Sequence, residues 1–175
     1  FSNRGLIMTT TGDFGHVGVL LGGCSSEREI SLKSGRAVLA ALGSAGCRVS
    51  AIELNQCDEQ TVLALLKQSK IDVAFIALHG AFGEDGTIQQ ILEKVGIPYT
   101  GSDAKTSRIT INKILTQKRL QQRGIPIPRH IVVNSTDGVS SPEILGHLPL
   151  PLVVKPACEG SSIGVTILQA ADQLP

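Results

Sequence analysis

The sequence carries almost no excess charge: 16 Lys and Arg stand against 15 Asp and Glu, a formal net charge of +1 over 175 residues. Without a one-signed field, nothing attracts nucleic acid, an acidic membrane or a polyanionic substrate from a distance, and the expectation is no nucleic-acid and no membrane partner. No run of about 18 apolar residues exists to form a bilayer-spanning helix. Phe1 to Met8 has neither a long apolar core nor a small-residue cleavage site, and Met8 is a candidate start. Cysteine is sparse. Cys24, Cys47, Cys57 and Cys158 form no C-x-x-C pair and no zinc-type spacing with histidine, so the expectation is no metal site and four reduced thiols in a cytoplasmic protein. No repeat of solenoid length is present. What remains is a 42% hydrophobic chain with 19 glycines, too apolar for disorder and long enough for one ordinary domain or two small ones.

The apolar pattern alternates between strand and helix. Val17–Leu21 reads as a buried strand ending at Gly22-Gly23. A helix follows, with Leu32, Val38, Leu39 and Leu42 at helical spacing. Val49–Leu54 reads as a second strand, Asp58–Ser69 as a helix, Ile71–Leu78 as a third strand and Thr87–Val95 as a helix. This order predicts an α/β unit with right-handed crossovers and a parallel sheet, whose ligands lie beyond the carboxyl ends of the strands. Asp103 or Ser107 is expected to cap one long helix reaching Arg123, with Ile109, Ile114, Leu115 and Leu120 inward. Beyond Gly124 come a strand at His130–Val133, a polar segment, a short helix at Pro142–Gly146, and strands at Leu152–Lys155 and Val165–Leu168 that read as an antiparallel hairpin. The expected organisation is an extension over 1–16, a first domain over 17–102 and an incomplete second one over 103–175.

Three loops carry the polar chemistry. Lys155-Pro-Ala-Cys-Glu-Gly-Ser-Ser-Ile-Gly164 joins two strands and combines glycines, hydroxyls and a cation. Such a loop is either an ordinary tight hairpin or a phosphate cradle with a lysine at its entrance, although it is not a Walker A sequence. Lys155 ends an apolar strand, where a buried ammonium without a partner is costly. His79-Gly-Ala-Phe-Gly-Glu-Asp-Gly86 brings an imidazole and two carboxylates to the mouth of the sheet. Glu84 and Asp85 can simply cap the following helix, or the loop can meet a ligand. Cys24-Ser-Ser-Glu-Arg-Glu29 has the same two readings, with Glu27 either a helix-start acid or a partner for a substrate ammonium. Lys113 taken alone is a solvated cation on a basic helical face.

Together, four blocks resemble the D-alanine:D-alanine ligases of the ATP-grasp superfamily: Val17–Leu32, Ala77–Thr87, Ile97–Ser102 and Val153–Val165. The resemblance implies a Rossmann-like, pre-ATP-grasp parallel-sheet domain followed by the first part of an α+β ATP-grasp domain. It also implies ATP-dependent joining of two D-alanines through an acyl phosphate for peptidoglycan precursors. By that resemblance Glu27 holds the ammonium of the first D-alanine and belongs to a Glu-Ser-Tyr triad whose serine is Ser161. His79 lies beside the reacting atoms, with Glu84 in the supporting loop. Lys113 and Lys155 contact the nucleotide phosphates, and Glu159, Gly160 and Ser162 belong to the phosphate loop. The implied partners are D-alanine, ATP and a second copy of the chain in a homodimer.

Two residues depart from the family's pattern: Asn112 stands before the helical lysine where Asp is usual, and Cys24 stands where Thr or Ser is usual. The family's adenine hinge, triad tyrosine, oxyanion-stabilising arginine and Mg2+ ligands are not located in these residues. The 175 residues alone are therefore expected to be an inactive fragment of a ligase. A non-catalytic dimerisation or binding module, and a D-Ala:D-Lac or D-Ala:D-Ser ligase, are the alternative functions.

Overall fold

The structure is a computed structural model that describes residues 14–134 and 140–174. The expected start at Met8, nearly all of the expected extension and most of the polar segment after Asn134 lie outside the described residues. The described residues form two compact units, which divide between Arg108 and Ile109.

The first unit is built on a parallel sheet of order β2-β1-β3, with β1 at His16–Gly22, β2 at Arg48–Leu54 and β3 at Val73–Ile76. β1 is buried from Val17 to Gly22, which explains its uninterrupted apolar run: a central parallel strand has no solvent face. Helix α1, Arg28–Ser44, packs on β1 and β2. It comes close because Gly35 has no side chain, since a Cβ there would lie 2.6 Å from the Cβ of Leu21. Helix α2, Glu59–Ser69, starts at Asp58, whose carboxylate accepts from Thr61 N–H at 2.9 Å, and buries Val62 and Leu66. Helix α3, Thr87–Val95, buries Ile88, Ile91 and Leu92. β3 is shorter than the sequence suggests. Among the described residues its far edge is bridged at Ala74, by Tyr99, while Ile76 N–H turns to the Thr100 hydroxyl at 3.1 Å, so regular pairing on that side stops there.

The expected long helix is two. Helix α4, Ala104–Ile111, begins at Asp103, whose side chain accepts from Thr106 N–H at 2.7 Å. At Asn112 the backbone becomes extended (ψ 107°), and the Asn112 side-chain oxygen accepts from Ile114 and Leu115 N–H at 3.0 and 3.1 Å. Asn112 therefore ends one helix and caps the next, α5, Lys113–Gln121. Leu115 is 45% exposed: it stands in the first turn of a new helix rather than in the middle of a continuous one.

In the second unit, helix α6, Ser141–His147, leads to an antiparallel hairpin of β4, Leu152–Val154, and β5, Thr166–Leu168. No strand forms at His130–Val133: no ladder partner faces this backbone among the described residues, Pro128 precedes it, and Val132 and Val133 are exposed.

The cysteine expectation is also corrected. Cys24, two residues after β1, and Cys57, three after β2, form a disulfide with Cα atoms 6.2 Å apart, leaving Cys47 and Cys158 free. Parallel neighbours end side by side, so thiols distant in sequence meet at the sheet edge. Reduced thiols thus no longer support a cytoplasmic location. Constraining a separation of 33 residues is worth about 4 kcal/mol in the chain-entropy description. Mild reduction, or Cys57→Ser, should lower the melting temperature by about 10 °C in differential scanning calorimetry. Equal melting temperatures with and without reductant would show that the bridge does not hold this edge.

Candidate functional site

The loops after β1 and β3 meet at the carboxyl end of the sheet, where two side chains join them and a third ties in the end of β2. The Ser31 hydroxyl, fully buried on the first turn of α1, accepts from Gly22 N–H at 2.9 Å and donates to the Ala77 carbonyl at 2.7 Å. The Ser25 hydroxyl donates to the His79 carbonyl at 2.7 Å. Arg28 sends one nitrogen to the Gly23 and Leu54 carbonyls at 2.9 and 2.7 Å and the other to Glu53 and Asn55 at 2.6 and 2.7 Å, linking the ends of β1 and β2.

Glu27 sits at the N-cap of α1, yet its side chain makes no capping hydrogen bond. It reaches across instead: a Cβ added to Gly80 would lie 2.7 Å from Glu27 Oε2, and Gly80 adopts φ +71°. Only glycine admits both the carboxylate and that backbone conformation cheaply. The helix-start reading of Glu27 thus fails at its side chain. A carboxylate held over the His79-Gly80 backbone is suited to receiving a cation.

His79 is partly buried. Its Nε2 lies 2.9 Å from the Ser34 hydroxyl and its Nδ1 3.6 Å from Glu84 Oε1. Glu84 and Asp85 divide the two roles their spacing had allowed. Glu84 faces the imidazole, while Asp85 organises the loop by accepting from Phe82 N–H at 3.0 Å and Thr87 N–H at 2.9 Å. Burial acts to raise the Asp85 pKa, but the hydrogen bonds from Phe82 and Thr87 outweigh it and hold the carboxyl below its ordinary 3.8. Gln89, buried on α3, donates to the Gly83 carbonyl at 2.7 Å from the other side of the loop.

The remaining predicted residues gather in the second unit. Lys113 opens α5; its N–H donates to the Ala157 carbonyl at 2.9 Å and its ammonium to the Glu159 carbonyl at 2.6 Å, so it is tied to the glycine-rich loop despite a separation of 46 residues. This replaces the solvated-cation reading. The loop turns tightly, with Ser161 at φ +51° and Gly164 at φ +69°, where a Cβ would strike Pro156 at 2.7 Å. Glu159, Ser161 and Ser162 are exposed and Gly160 is partly so. Lys155 is exposed as well, contrary to the buried position inferred from its apolar strand. The two-stranded hairpin covers Leu152 and Leu168 but leaves Val153 and Val154 about half exposed, and the lysine follows that open face. Among the described residues no group of three His, Cys, Asp or Glu could hold a metal ion.

Ser25, Ser31, Ser34, Arg28 and Gln89 belong to this edge without any motif that marks them in the sequence. Ser31 and Ser34 gave a faint signal, being polar residues three apart on the face of α1 that also carries Leu32 and Gly35.

Replacing Asp85 by Asn should destabilise the protein by about 1 kcal/mol at neutral pH. Because the Asp85 pKa is lowered in the folded state, its contribution is present above the ordinary 3.8 and is lost as the pH falls through the lowered value. The gap between wild type and variant in urea unfolding should therefore close on acidification, and a pH-independent gap would exclude the charged hydrogen bonds as its source.

Comparison with known proteins matches this chain to two family models, D-ala D-ala ligase N-terminus over residues 53–102 and D-ala D-ala ligase C-terminus over residues 119–175. It is 46% identical over 158 residues to a D-alanine–D-alanine ligase of Desulforudis audaxviator, covering 90% of this chain and 50% of that protein. It is 49% identical over 163 residues to one of Pseudomonas fluorescens, covering 93% and 48%. Two crystal structures of a Bacillus anthracis D-alanine–D-alanine ligase, the second complexed with ATP, superpose with TM-scores of 0.79 and 0.78 at 38% and 37% identity. Each match covers 91% of this chain, and 51% and 52% of the respective ligase chain. The chain thus spans about half the length of the relatives it matches. With both family models matched and relatives aligned along nearly all of its length, the chain belongs to the D-alanine–D-alanine ligase family.

Proposed function

We propose that the protein to which this chain contributes joins two D-alanines at the expense of ATP, through an acyl phosphate. The observation that carries this reading is the turning of the Glu27 carboxylate away from its own helix and over Gly80, beside His79, at the carboxyl end of a parallel sheet. In this proposal Glu27 holds the ammonium of the first D-alanine through a charge-assisted hydrogen bond, which orients the carboxylate that is to be activated. His79, steadied by Ser34 and Glu84, lies against the reacting carboxyl. In the same proposal Ser161 is the serine of the family's Glu-Ser-Tyr triad. ATP supplies the phosphoryl group.

The donors in the second unit suit phosphate oxygens: two lysines, and backbone N–H groups in a turn of small residues around Gly160 and Ser162. Lys113 and Lys155 neutralise charge as point cations, and Glu159 anchors the Lys113 ammonium through its carbonyl. Among the described residues no cluster of His, Cys, Asp or Glu fits Mg2+. Division into a substrate-binding domain up to residue 102 and a nucleotide-binding one beyond it, assembly as a homodimer and a cytoplasmic location belong to the same proposal.

In the full-length protein, Glu27→Gln should raise the KM for D-alanine about tenfold or more while leaving the KM for ATP nearly unchanged, and Lys155→Ala should do the reverse. Phosphate release with D-alanine, ATP and magnesium reads both. Equal losses for the two substrates, or release indifferent to D-alanine, would overturn the proposal.

A further inference from the structure

The His79 ring has a protein partner at each nitrogen, and the two partners differ in kind. Glu84 Oε1 is 3.6 Å from Nδ1, and an ionised carboxylate only accepts, so that nitrogen faces its partner favourably when it carries a proton. Ser34 Oγ is 2.9 Å from Nε2, and a hydroxyl both donates and accepts. The same hydroxyl lies 3.0 Å from the Ile30 carbonyl and 3.2 Å from the Ser31 carbonyl, on the preceding turn of α1. Its single proton thus has two destinations: Nε2, or the helix backbone.

We infer that Ser34 is a positioning residue for His79, a rotating hydroxyl that holds the ring in one orientation whichever way Nε2 is protonated. With Nε2 bare, the Ser34 proton points at it and the ring carries its own proton on Nδ1 toward Glu84. With Nε2 protonated, the hydroxyl turns its proton onto the Ile30 carbonyl and accepts from the ring through a lone pair. Nothing heavier than a hydrogen needs to move. The ring is also fixed from behind, since the Ser25 hydroxyl holds the His79 carbonyl at 2.7 Å, while Glu27 crosses the adjacent Gly80. A proton can therefore enter or leave Nε2 without disturbing the geometry of the loop.

The significance for catalysis rests on the ligase reading above; the hold on the ring does not. Selective 15N-histidine labelling of the full-length protein, with the His79 signals assigned by their absence in His79→Gln, reads the ring directly. At pH 8 the wild type should show Nδ1 protonated and Nε2 accepting a hydrogen bond. Ser34→Ala should shift and broaden the Nε2 signal. Ser34→Thr, whose hydroxyl can bond the same helical carbonyls, should restore it. Alanine favours the helix more than serine and Ser34 is only partly buried, so the variant should fold, which an unchanged melting temperature would document. An Nε2 signal identical in wild type and Ser34→Ala would overturn the inference. Ser34→Ala should also lower kcat about tenfold with the KM for ATP unchanged, as expected when a group beside the chemistry is misoriented. A shifted Nε2 signal with unchanged kcat would remove His79 from the reaction while leaving the Ser34 hold on its ring established.

Discussion

The buried Ser31 hydroxyl spans the ends of β1 and β3, accepting from Gly22 N–H and donating to the Ala77 carbonyl, and it sets the height at which α1 brings its other polar groups to this sheet edge. Both backbone groups lie where the strands give way to loops, and each would cost about 1–3 kcal/mol if buried without a partner. One helical side chain satisfies both, which fixes α1 at a single height against the sheet. Glu27 at the start of that helix, Arg28 in its first turn and Ser34 one turn further on are thereby set in register with His79 and with the end of β2. Gly35 allows the approach that this requires. Packing density and hydrogen bonding thus act on the same few residues, and the chemistry of the edge is a by-product of how the helix is docked.

The parallel sheet was legible in the sequence because a central strand of such a sheet is apolar throughout, and His16–Gly22 could hardly be anything else. The hairpin of β4 and β5 was legible through the glycines between two short apolar runs. Less visible was anything that depends on a single residue meeting a distant one. The division at Asn112 has a local cause, a capping side chain, but neighbouring Ile109 and Ile114 still match a continuous helix, and periodicity concealed the break. The Cys24–Cys57 bridge has no local cause at all. It follows from strand order, which places β2 beside β1, and that order cannot be read from the spacing of two cysteines.

Of the site, the residue types were legible and the directions of the side chains were not. The spacing of Glu84 and Asp85 allowed both to cap α3; the structure gives the backbone to Asp85 and the imidazole to Glu84. The difference is one of reach. Asp85 is one residue before the glycine that starts α3, and its shorter side chain bends onto the Phe82 and Thr87 amides, whereas Glu84 is turned toward His79. In the same way Glu27 occupies a capping position without capping, because Gly80 leaves a space that its longer side chain enters. Ser25, Ser31 and Asp85 serve the backbone here, and Glu27 and Glu84 are left for what lies in front of them.

The second unit shows how a departure from a family pattern can be absorbed. An N-cap needs a side-chain oxygen that accepts from the amides two and three residues on, and Asn provides it as well as Asp does. The Asn112 oxygen makes both bonds, to Ile114 and Leu115, so the start of α5 is intact. What is lost is a negative charge beside a helix N-terminus, an interaction of about 0.3–1 kcal/mol. The loss falls next to Lys113, whose backbone N–H and ammonium both donate to the glycine-rich loop. A carboxylate at position 112 would compete for that ammonium and offset part of its charge. With a neutral amide in its place, the helix end is held by geometry alone, and the positive potential of Lys113 remains directed at the loop that would meet the phosphates.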